Sequence, residues 1–144
     1  MKKIMLLLAI VTTTLSSFAG ETVNEKVLKS FKSDFGTAKE VVWAAGDNYY
    51  KATFKYNEKF VFAYYNTDGL LLAITRYLSP ADLPMNLQTK LKKDFGEYWI
   101  SDLFEVAKDS GTFYFITLEN ADSKVILKAE NGSDWAFFSK TKKS

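Results

Sequence analysis

An apolar stripe of four residues occurs twice in this chain at a spacing of 60: Val23, Val27, Phe31 and Phe35, then Leu83, Leu87, Leu91 and Phe95. Each set recurs every fourth residue, which places it along one face of an α-helix. Each runs into the same triplet, Asp34-Phe35-Gly36 and Asp94-Phe95-Gly96. Two matched amphipathic helices constrain the fold strongly, because each needs an apolar surface to lie on. In the first, Lys26, Lys29 and Lys32 take the wet side, and Thr22-Val23-Asn24-Glu25 fits a capping box. Gly36 stands where a left-handed C-terminal cap is expected, and Gly96 again ends the second helix. The second helix is expected to begin around Ser79-Pro80-Ala81-Asp82, since Pro80 and Pro84 are tolerated where backbone donors are still unused.

After each helix the period changes to two, the mark of half-buried strands. Four are expected after the first helix: Val41–Ala45, Tyr49–Tyr56, Phe60–Tyr65 and Leu70–Leu78. Four follow the second: Trp99–Ala107, Thr112–Glu119, Lys124–Glu130 and Asp134–Ser139. Turn residues separate them, among them Gly46-Asp47-Asn48, Asn66-Thr67-Asp68-Gly69 and Asn131-Gly132-Ser133. Connections this short favour antiparallel neighbours. The chain therefore reads as α+β, two tandem α-β-β-β-β repeats over 20–79 and 80–144 of a single domain.

The first nineteen residues are read apart from this domain. Lys2 and Lys3 precede an apolar run from Ile4 to Val11, and Ser17-Phe18-Ala19 is a small-x-small cleavage site. This is the pattern of a secretory signal peptide cut after Ala19, and it predicts a periplasmic or secreted protein. The run breaks at Thr12-Thr13-Thr14, short of the roughly 20 apolar residues a span needs. No stable membrane span is expected after cleavage. Of 19 basic residues, Lys2 and Lys3 leave with the signal, so 17 basic residues face 17 acidic ones. A neutral chain lacks the basic footprint of a nucleic-acid binder, and no nucleic-acid partner is expected. With no cysteine, stability must come from packing, for which an aromatic content of 16% is ample.

The chain has neither histidine nor cysteine. That removes the commonest general base, the thiolate nucleophile and the usual transition-metal ligands together. No glycine-rich phosphate loop and no Gly-x-Ser-x-Gly elbow is present. The Asp-Phe-Gly triplets lack the partner motifs of a kinase and are read as helix ends. Two carboxylate pairs remain to be weighed, Asp102 with Glu105 and Asp68 with Asp134, because paired acids can run hydrolysis without histidine. Most acids here fall in or beside turns, where aspartate serves local hydrogen bonding. The expectation is no enzyme, no metal and no cofactor.

Alternation divides the central strands into two faces. Tyr50, Ala52, Phe54 and Tyr56, with Val61, Ala63 and Tyr65, are expected under the helices. That leaves Tyr49, Lys51, Phe60, Phe62 and Tyr64 on the open face, with Arg76 nearby. Large rings flanked by Lys and Arg are the composition of a protein-binding hot spot. The competing reading is a cluster of rings that cover one another on the sheet. Trp43, Trp99 and Trp135 are expected in the core or at sheet edges.

The stretches Leu28–Gly36, Tyr64–Gly69, Ile74–Pro84 and Trp99–Val106 together resemble the exported PepSY-like proteins of Bacteroidota, related in fold to the β-lactamase inhibitory protein. The resemblance implies two layers, with both helices on one face of an antiparallel sheet and the opposite face open. In the inhibitor that open face grips an enzyme, and PepSY modules are associated with restraining proteases. This chain lacks the inhibitor's cysteines and has no stretch matching its enzyme-contacting loops, so β-lactamase inhibition is not carried over. The function expected is a non-catalytic exported protein that binds another protein through the open sheet face, as an inhibitor or modulator. The alternative is a small-molecule or lipid carrier with an aromatic pocket between sheet and helices.

Overall fold

Asn24 caps the start of the first helix. In the computed structural model, which describes residues 16–18 and 23–144, helix α1 runs Glu25–Asp34. The Asn24 Oδ1 accepts the Val27 N–H at 2.9 Å, while its Nδ2 donates to the Thr67 carbonyl at 2.8 Å. An amide can accept and donate at once, so one side chain caps the helix and ties it to the turn at Thr67. Thr22 lies outside the described residues. So does the predicted signal segment, residues 1–19, except Ser16–Phe18, whose backbone forms strand β1.

Neither Gly36 nor Gly96 is left-handed, which corrects the expected cap; Gly96 has φ −61°. A Cβ would lie 3.3 Å from the Lys32 carbonyl oxygen at Gly36 and 2.9 Å from that of Lys92 at Gly96. Glycine suits these helix ends because the chain passes close to the last turn.

The chain divides into two compact units after Leu72. In the first, β1, β2 (Lys39–Ala45), β3 (Tyr49–Tyr56) and β4 (Lys59–Asn66) pair antiparallel in chain order. The β3–β4 turn places Asn57 and Glu58 at φ 51° and 66°, the mirror-image geometry that matches strand twist in a two-residue hairpin. Ala52, Phe54, Val61, Ala63 and Tyr65 are buried. Phe31 of α1 reaches Phe54 at 5.0 Å, Trp43 at 5.1 Å and Tyr65 at 6.4 Å between ring centroids, so this face of the sheet is the helix-bearing one. Phe35 adds contacts to Phe54 and Tyr56. The core of this unit is built of rings.

The second unit contains most of β5 (Leu71–Tyr77), then α2 (Met85–Phe95), β6 (Trp99–Lys108), β7 (Gly111–Glu119), β8 (Ser123–Glu130) and β9 (Ala136–Lys142). β5 to β9 again pair antiparallel in chain order. The expected helix start at Ser79–Asp82 is a single 3-10 turn, closed by Asp82 Oδ2 accepting from the Ser79 N–H at 2.9 Å. Leu83, immediately before Pro84, is extended, because the proline ring excludes helical geometry from its predecessor. The helix begins at Met85. Leu83, Leu87 and Leu91 pack on Leu103, Ile116, Leu118, Val125, Leu127 and Ala129. This core is aliphatic. Each unit is thus α+β, an antiparallel sheet with a helix on one face.

Candidate functional site

The face of the first sheet turned away from α1 carries the predicted patch. Across β2, β3 and β4, Val42, Thr53 and Phe62 stand in one ladder, and Ala44, Lys51 and Tyr64 in the next. Lys55 and Phe60 form a third pair. The Lys51 ammonium lies 4.7 Å from the Phe62 ring centre and 5.9 Å from that of Tyr64, and the Lys55 ammonium lies 5.7 Å from Phe60. Cations over ring faces are attracted by the ring quadrupole. Burial holds the Lys51 pKa below the usual lysine value.

Tyr64 departs from the expected open patch, because it is only 1% exposed. Lys51 stands directly opposite it and the Tyr49 ring is 6.1 Å away. Tyr49, Lys51 and Phe62 are half-buried, and Phe60 is 55% exposed. Val42, 53% exposed in the Phe62 ladder, was missed in the sequence. Its alternation with the buried Trp43 was the available signal.

Arg76 lies in the second unit. It stands opposite Glu105, which lies on the same side of β6 as the core residue Leu103 and is therefore on the helix-bearing side of the second unit. Arg76 Nε donates to Glu105 Oε1 at 2.9 Å and Nη2 to Oε2 at 3.3 Å, and this pairing raises the Arg76 pKa. A two-residue period places Arg76 only once the strand pairing is known. Burial, with Glu105 beside it, raises the Tyr114 pKa.

The weighed acids do not assemble a site in the second unit. Asp102 and Glu105 lie three residues apart on one strand and so project to opposite faces. Burial raises the Asp102 pKa. Asp134 pairs with Lys90 at 3.5 Å. Hydrogen bonds from Ser101 and Lys143 lower the Glu119 pKa. Among the described residues no three of His, Cys, Asp and Glu converge to hold a metal ion. The outer face of this unit carries Phe104 stacked on Phe115 at 5.3 Å, and Phe113 with Lys108 and Lys128 at 4.9 and 4.7 Å. All three rings are buried.

One cleft opens beside α2, with a volume of about 230 Å³. Pro80, Gln88, Leu91, Lys92, Phe95, Gly96, Tyr98, Ile100 and Leu118 line it. Ile100 and Leu118 stand opposite each other on β6 and β7 where they line it. Gln88 Nε2 is turned to the Leu83 carbonyl at 2.7 Å.

These helix-and-meander units are known from solved structures. A BLIP-like protein from Bacteroides fragilis is 16% identical, with 83% of this chain and 85% of that chain covered at a TM-score of 0.71. The chain has a BLIP-like fold. A DUF2874 family protein from Bacteroides ovatus is 20% identical over 85% of this chain and 89% of that one, TM-score 0.73. A protein from Bacteroides eggerthii described as a candidate periplasmic protein is 13% identical over 83% and 88%, TM-score 0.72. No protein-family model matches the sequence, and no curated protein does. Among the described residues no helix is long and apolar enough to cross a membrane.

Proposed function

We propose that this chain is an exported, non-catalytic binding protein that holds another protein on the outer face of its first sheet. The observation that carries the reading is the row of side chains opposite α1. Exposed Phe60 stands two residues from half-buried Phe62 on β4, and exposed Val42 lies across Thr53 from Phe62, while Lys51 and Lys55 lie over the rings. Held rings lose little entropy on docking, and aromatic anchors of this kind supply most of the energy in protein interfaces. The lysines add charge at the rim, where it steers encounter more than it tightens binding. Tyr64 serves as the floor of the patch. The absence of histidine and cysteine supports a role without chemistry. Export rests on the leader pattern, and a BLIP-like fold makes restraint of an enzyme the first activity to assay.

The test is crosslinking capture from the native envelope with wild type and a Val42→Ser, Phe60→Ser variant, followed by binding measurements on the purified partner. Both changes are at exposed positions, so the variant should fold. Loss of at least about tenfold in affinity is expected if these side chains are anchors. Equal capture by the two proteins would remove this face from the interface.

A further inference from the structure

The helices differ at one matched position of their apolar stripes. The seventh residue of α1 is Phe31, whose ring packs against four other rings; the seventh residue of α2 is Leu91. Beside Leu91 the cleft of about 230 Å³ is walled by Phe95, Tyr98, Ile100 and Leu118. Lys92 is the single charged side chain on its lining, and no carboxylate lines it. Lys92 takes part in none of the ion pairs among the described residues.

The size restricts what could enter. Apolar cavities of about 150 Å³ take up benzene, whereas drug-sized ligands need roughly 300–1,000 Å³. This cleft therefore suits one ring or a few carbons, not a long acyl chain. Its walls favour an apolar body, and the positive charge that Lys92 brings to its lining favours an anion. We propose that the cleft binds a small amphiphilic carboxylate, its body against Leu91, Phe95 and Leu118 and its acid group at the Lys92 Nζ. The site lies wholly within the second unit and does not depend on the protein-binding face of the first.

The test uses ¹⁵N-labelled protein expressed from the full sequence, titrated with 4-phenylbutyrate and with its neutral counterpart 4-phenylbutan-1-ol. Saturable shifts at the Ile100 and Leu118 amides are expected, with the acid binding more tightly than the alcohol. Lys92→Met should weaken the acid about three- to tenfold, as befits an exposed ion pair, and leave the alcohol unchanged. Leu91→Phe, which puts the first helix's ring in the space, should weaken both at least about tenfold. If that variant fails to fold, Ile100→Phe at the exposed lip fills the same cleft. Absence of saturable shifts, shifts centred elsewhere, or a Lys92→Met protein that binds the acid as wild type does would overturn the proposal.

Discussion

The two units solve the same packing problem with different side chains. Under α1 the core is a mesh of rings, with Phe31 touching Phe35, Trp43, Phe54 and Tyr65. Under α2 it is a stack of branched aliphatics around Leu87, Ile116 and Leu127. Rings fill space in large rigid pieces and prefer edge-to-face contact, as several pairs here have. Aliphatic residues fill space in smaller pieces, and beside Leu91 a cleft is left. One backbone plan thus tolerates both chemistries, provided the apolar stripe and the strand alternation are kept.

The largest expected effect tests that contrast directly. Phe31→Ala should cost about 4 kcal/mol, because it removes a ring with four ring partners and leaves a cavity. Leu91→Ala should cost about 2 kcal/mol, the low end for a buried leucine, since one side of Leu91 already borders open space. Urea denaturation of both variants gives the difference, and equal costs would break the comparison.

The turn glycines come next. Gly69 has φ +84°, and a Cβ there would sit 2.8 Å from the Lys26 carbonyl oxygen and 2.9 Å from Ser30 Oγ on α1. Gly132 has φ +75° but would meet only Pro84 Cγ at 3.7 Å. Gly69→Ala should therefore cost about 2–3 kcal/mol, and Gly132→Ala about 1 kcal/mol from handedness alone. Thermal melts that rank the two the other way would show that the α1 contact is looser than its geometry.

A pH effect belongs to the first core. The Tyr65 hydroxyl donates to Asp34 Oδ2 at 2.9 Å, and burial together with that carboxylate raises the tyrosine pKa. Above pH about 10 the unfolded chain releases this proton while the folded chain retains it, so stability falls as pH rises. Between pH 10 and 11 the loss attributable to Tyr65 should be about 1 kcal/mol, allowing for the water-exposed Asp34 end. Tyr65→Phe should flatten that part of the profile.

The smallest effects compare ion pairs. Glu105 is 16% exposed and holds Arg76 through two hydrogen bonds, whereas Lys55 and Glu40 are 34% and 64% exposed at 3.9 Å. Arg76→Met should cost about 1 kcal/mol, and Glu40→Gln less than about 0.3 kcal/mol. A chemical melt with both variants checks the ranking.

The helices and strands were legible because buried stripes and alternation are written directly into residue order. Ala52, Phe54, Val61, Ala63 and Tyr65 declare the helix-bearing side by parity alone. What failed depended on geometry that residue type does not carry. Gly36 and Gly96 suit either a left-handed turn or a close approach, and only backbone angles separate the two. Arg76 required the pairing with β6 to fix its side. Tyr64 has the correct parity for the outer face, but the reach of Lys51 and the nearness of Tyr49 belong to packing. The cleft beside α2 is a deficit of volume, and an ordinary leucine gives no warning of it.

Pairing in chain order has a kinetic consequence. Each hairpin within a unit closes a loop of a few residues, so the entropy of closure is small at every step. Sheets assembled from sequence-adjacent strands have low contact order and fold fast for their class. Residues 23–72 would have their ring core available to form while the later strands are still being synthesised, since chains are made N-terminal end first. Stopped-flow refolding followed by Trp43 fluorescence, compared with Trp135, would time the two cores separately.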